Sequence, residues 1–100
     1  MEPKQQKPVE IEIHPDVAQG LYSNLAIITH SPAEFILDFA QHLPGPPKAV
    51  VRSRIIMTPE HVKRLLMALT DNVNKYESQF GEIRLQQAQP YPAFPGDAKA

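Results

Sequence analysis

The stretch KAVVRSRIIMTPEHVKRLLMALTDNVNKYESQFG, residues 48–81, changes its hydrophobic period partway along. In residues 48–57, Ala49, Val51, Ser53, Ile55 and Met57 alternate with Val50, Arg52, Arg54 and Ile56. That is the two-residue period of a strand with a polar middle. From residue 59 the apolar positions are Val62, Leu66, Leu69, Val73, Tyr76 and Phe80, in steps of 4, 3, 4, 3 and 4. That is the period of an amphipathic helix over residues 59–80. Thr58 is a suitable N-cap, Pro59 suits the first helical position, and Glu60 meets the positive end of the dipole. Glu60 with Arg64, and Asp71 with Lys75, stand at i,i+4 in the favourable order, and Gly81 supplies a left-handed stop.

Upstream, Leu43-Pro44-Gly45-Pro46-Pro47 is a stiff loop, because its prolines donate no ladder hydrogen bonds. Residues 33–43, AEFILDFAQHL, fit two periods. Phe35, Leu37 and Phe39 share a strand face; Phe35, Ile36, Phe39, Ala40 and Leu43 form a helical stripe. Ser31-Pro32-Ala33-Glu34 has capping-box spacing, which favours the helix. The strand is preferred, because a two-residue turn at Ser31-Pro32 would pair it with the branched, aromatic run of residues 21–30. The helix stays open as the alternative. Val9-Glu10-Ile11-Glu12-Ile13 alternates strictly and predicts a first strand, broken by Pro15-Asp16; residues 16–20 read as a short turn or a helical turn ending at Gly20.

These elements add up to an α+β domain over residues 9–84. Its sheet is four-stranded and mainly antiparallel, in ββββα order, with one long C-terminal helix packed on it. Residues 1–8 are expected to be a disordered lead, and residues 85–100, with three prolines in QQAQPYPAFPGDAKA, a mobile tail. The helix seam has two readings. In the first it covers its own sheet. In the second, part of it packs on another copy, since 22 residues span about 33 Å and exceed the width of four strands at about 4.8 Å each. Leu66, Leu69, Val73, Tyr76 and Phe80 are the self-association candidates.

Composition narrows the chemistry. Ten Lys+Arg against eleven Asp+Glu give a net charge of −1, which excludes a generally basic nucleic-acid coat. Cysteine is absent, so disulfides, thiolate metal sites and cysteine nucleophiles are excluded. The polar start is not a signal peptide, and apolar runs such as Leu25-Ala26-Ile27-Ile28 are far short of a membrane span, so a cytoplasmic protein is expected. His14, His30, His42 and His61 lack metal-ligand spacing. No serine sits in a nucleophile elbow, and the four glycines form no phosphate loop. Glu34 and Asp38 on one strand would stand about 13 Å apart, too wide for an acid–base pair. No enzyme activity, cofactor or metal is expected.

The basic residues have more to offer. Arg52 and Arg54 are read on one strand face, with Lys48 before them and His61, Lys63 and Arg64 in the first turns of the helix. Arg52, Arg54, His61 and Arg64 are therefore candidate anion or partner contacts. The plainer reading pairs Arg52 and Arg54 with Glu10 and Glu12, which have the same spacing, across adjacent strands. Tyr22-Ser23-Asn24 is unusual inside a strand and implies a bulge or a buried side-chain hydrogen bond to backbone.

Several blocks in combination resemble a known family. They are Leu21-Tyr22-Ser23-Asn24 with His30-Ser31, Glu34-Phe35-x-Leu37-Asp38-Phe39, Arg54-Ile55-Ile56-Met57-Thr58-Pro59-Glu60-His61-x-Lys63-Arg64-Leu65-Leu66, and Lys75-Tyr76-Glu77 with Phe80-Gly81. Over about residues 9–83 the chain resembles the small prokaryotic family filed as domain of unknown function 3467. The resemblance implies a strand at Phe-x-Leu-Asp-Phe and carries no activity. Four strands followed by a helix is also similar in order to the export chaperone of the Sec pathway, an analogy of fold alone. The leading functional reading is a non-catalytic, self-associating protein-interaction module, a homodimer or higher oligomer. The alternative is a nucleic-acid-binding accessory protein that uses the basic strand and the helix start.

Overall fold

The computed structural model describes residues 8–45 and 47–86. The expected disorder of residues 1–7 and the tail from residue 87 onward lie outside the described residues. In chain order the elements are α1 (Pro15–Ala18), β1 (Leu25–His30), β2 (Phe35–His42), β3 (Ala49–Met57) and α2 (Pro59–Phe80). The ambiguous segment is therefore a strand. Its local capping-box signal is used differently: the Ser31 hydroxyl accepts from the backbone N–H of Ala33 (3.2 Å) and Glu34 (3.3 Å) and closes a hairpin turn. The Ser31 N–H also donates to the Glu34 carbonyl at 2.9 Å. His30 pairs with Phe35, so the loop is residues 31–34 and not the two-residue turn expected.

The sheet is antiparallel, in the order β1-β2-β3. β2 is the central strand, so both its faces are partly covered, and Leu37, Asp38 and Ala40 are buried on it. With Ile27 of β1 they are the buried residues among those described, and of these Ile27, Leu37 and Ala40 are apolar. Between β2 and β3 the register moves from Phe39↔Ser53 to Ala40↔Val51, which leaves Arg52 as the extra residue of a β-bulge.

Three expectations need correction. Residues 9–13 form no strand; the structure has three strands among the described residues, not four. Alternation shows that a segment can line a sheet, but a strand also needs an edge to pair with. Here α1 and a turn at Gly20 (φ 81°) intervene, and none of the described backbone hydrogen bonds reaches residues 9–13. The second correction is the start of β1, at Leu25 and not Leu21. The third concerns α2, which was expected to pack on the sheet. Among the described residues it contains no buried residue and makes no extensive contact with any strand. Only Thr58 separates β3 from α2. A strand leading into a helix commonly uses two to six residues to fold the helix back over the sheet. One residue lets the helix run on from the strand end.

Candidate interaction surface

Ser23 and Asn24 continue the edge of the sheet with side chains where backbone pairing stops. The Ser23 hydroxyl donates to the carbonyls of Leu25 (3.1 Å) or Ala40 (2.9 Å). The Asn24 amide makes two bonds to His42: its Nδ2 donates to the His42 carbonyl (3.0 Å), and its Oδ1 accepts the His42 N–H (2.9 Å). The Asn24 N–H donates to the Ala40 carbonyl at 3.1 Å. A primary amide carries the same donor and acceptor as a peptide group, so it stands in for one more ladder pair. Side-chain bonds to backbone are thus present at Ser23 and Asn24, but they lie just ahead of β1, and those of Asn24 are exposed and not buried as expected. Gln41 adds a bond from Nε2 to the Tyr22 carbonyl at 3.3 Å.

Asp38 is fully buried, opposite Ile27 on one side and Arg54 on the other. Its carboxylate takes a two-pronged contact from Arg54, Nε to Oδ1 at 2.7 Å and Nη2 to Oδ2 at 3.1 Å. The guanidinium is held above its ordinary pKa, first by these hydrogen bonds and then by the carboxylate charge, against a smaller opposing effect of desolvation. A buried carboxylate needs such a partner, and arginine's planar fork matches it. The cross-strand partner of Arg54 is thus Asp38, not Glu10 or Glu12. The signal was present in the sequence: a lone acid inside the apolar run Phe-Ile-Leu-Asp-Phe requires a cation across the sheet.

The bulge separates the two arginines. Arg52 lines a groove with Gln41, Leu43, Lys48 and Val50. Gln41 lies three residues from Asp38 on β2, hence on the opposite face. Arg52 and Arg54 therefore do not share a face, because the extra residue falls at Arg52 itself.

At the start of α2 the Thr58 hydroxyl accepts from the His61 N–H at 3.4 Å and lies 3.1 Å from His61 Nδ1, so the expected N-cap is formed. Arg64 is bound to Glu60 at 2.6 Å and Lys75 to Asp71 at 3.0 Å, as the i,i+4 spacing predicted. Of the four basic candidates, Arg54 and Arg64 are thus ion-paired within the chain, Arg52 stands on the opposite face from Arg54, and His61 is engaged at the cap. Five residues separate Arg52 from the end of β3, about 16 Å of strand.

The largest feature is apolar. Along α2, Leu66, Leu69, Tyr76 and Phe80 are each at least half exposed, and Val62 and Val73 are only partly covered. The rings of Tyr76 and Phe80 touch each other, with centroids 5.0 Å apart. Leu65 and Met67 widen the stripe. On the sheet, Val50, Val51, Ile55 and Ile56 of β3 are also exposed. No group of His, Asp and Glu suited to a metal occurs among the described residues, and no described helix is long and apolar enough to cross a membrane.

The architecture defines an α+β domain, a three-stranded antiparallel sheet that continues into one long, uncovered helix. Residues 1–85 match the family model described as protein of unknown function (DUF3467), and the chain belongs to that family. No curated protein and no solved structure matches it.

Proposed function

We propose that this protein is a non-catalytic, self-associating interaction module of the cytoplasm, which works as a homodimer or higher homo-oligomer. One observation carries the reading: among the described residues the 4-3 apolar seam of α2 has no buried member, and Leu66, Leu69, Tyr76 and Phe80 are each at least half exposed. A seam of that spacing is the geometry by which two helices interlock, side chains of one between side chains of the other. Three buried apolar residues among the described ones are also a very small core. A second copy supplies the missing cover for Leu66, Leu69, Val73, Tyr76 and Phe80.

The nucleic-acid alternative draws little support from the geometry, because Arg54 and Arg64 are already ion-paired and Arg52 faces away from Arg54. Sedimentation velocity of the purified chain tests the reading. A dimer or larger species is expected. Leu69→Glu, on the seam, should shift the protein to monomer at concentrations where Ala68→Glu, off the seam, does not. A wild-type monomer at high concentration with full helical circular dichroism would overturn the proposal.

A further inference from the structure

Val9-Glu10-Ile11-Glu12-Ile13 is a strand sequence without a strand. Its apolar positions are 84%, 90% and 64% exposed at Val9, Ile11 and Ile13. None of the described hydrogen bonds reaches its backbone. Meanwhile the sheet has two open edges, β1 and β3. An open edge is a row of unpaired N–H and C=O groups that receives another strand.

We infer that residues 9–13 of one copy add to the β3 edge of a second copy, which completes a four-stranded sheet by exchange between protomers. This rests on the self-association reading above and says which segments meet. The choice of β3 over β1 follows from charge and from side-chain pattern. β1, LAIITH, has no charged residue to answer Glu10 and Glu12, apart from His30 if it is protonated. On one face of the β3 edge Lys48, just before β3, and Arg52, at the bulge, stand on either side of the exposed Val50; the three line one groove, and neither cation belongs to an ion pair among the described residues. On its other face Val51 is exposed beside Ala49, apolar company for Val9, Ile11 and Ile13. The edge thus offers two cations within reach of the acids on one face and apolar residues to Val9, Ile11 and Ile13 on the other.

The choice of a second copy follows from the edge being left open: residues 14–24 are long enough to span the two strand spacings, about 10 Å, from β1 to β3, yet residues 9–13 do not pair with the β3 of their own chain. The chain just before β1 is tied down by the bonds of Ser23 and Asn24 to β2. Exchange also makes the contact reciprocal, as a two-fold pair requires.

The absence of cysteine makes the test direct. Ile11→Cys and Val51→Cys are made as separate chains, mixed, and treated with a short bis-maleimide. Ala49→Cys, exposed beside Val51 on the same face, replaces Val51→Cys if that variant does not fold. Thr29→Cys, on the β1 edge, is the reference. The expected result is a covalent dimer carrying one chain of each kind, at several times the yield with Thr29→Cys. If Thr29→Cys gives the higher yield, the edge is wrong and the inference falls. If the mixture gives nothing while the Ile11→Cys/Val51→Cys double variant links internally, the segment closes its own sheet and the inference falls. If no link forms in a protein that sediments as an oligomer, the strand exchange fails and the self-association stands. If the protein sediments as a monomer, both fail.

Discussion

Asn24 shows how one side chain sets where a strand begins. Its amide offers a donor and an acceptor in the geometry of a peptide group, and both meet the backbone of His42. Asn24→Ala should cost about 1–2 kcal/mol, the net value of two ordinary hydrogen bonds. Asn24→Asp should cost more, because a carboxylate keeps the acceptor and sets an oxygen against the His42 carbonyl. Urea denaturation of the three proteins checks the order wild type, Ala, Asp. Asp38 makes a related point. Its burial could be read from the apolar residues around it, but its partner could not. That depended on the register of β2 against β3, which puts Arg54 opposite and leaves Arg52 aside at the bulge. The Arg54 pKa is raised, so its share of stability is present below the guanidinium's own range and is lost only above it. Its charge therefore does not switch near neutral pH.

Elements were legible to the extent that their signals were local. β3 and α2 follow from a change of period at Thr58-Pro59, and the two helical ion pairs follow from spacing alone. The segment that became β2 carried two compatible periods, and the hairpin decided between them by using Ser31 in a turn. The end of α2 is set by Gly81. Its N–H donates to the Glu77 carbonyl at 2.9 Å, so the last turn closes as expected. Its backbone, at φ 102° and ψ 167°, is not left-handed helical but extended with positive φ, a region used essentially by glycine. The chain then turns away, and the Glu77 carboxylate accepts the Ile83 N–H at 2.9 Å. No atom crowds a Cβ at Gly81, so Gly81→Ala should cost the conformational strain alone, about 1–3 kcal/mol. Chemical denaturation measures the loss, and helix content in the folded state should stay unchanged.

At the scale of the whole molecule, most large apolar side chains of the described residues lie at the surface, on α2, on β3 and in residues 9–13. With α2 covered by a second copy, as proposed, the Tm should rise with protein concentration, by mass action. Differential scanning calorimetry over a hundredfold concentration range should show the rise in the wild type and a flat response in Leu69→Glu.

Residues 49–57 and 59–80 carried their own secondary structure because periodicity, caps and i,i+4 pairs act within a few residues of chain. The number of strands, the face each arginine takes and the placement of α2 arose elsewhere. Residues 9–13 have strand alternation and no strand, because pairing needs an edge that sequence spacing does not contain. Arg52 and Arg54 parted because a bulge belongs to two strands together. The α2 seam came off the sheet because a one-residue link runs the helix on from β3, and a seam of apolar residues states only that it must be covered, not by which chain.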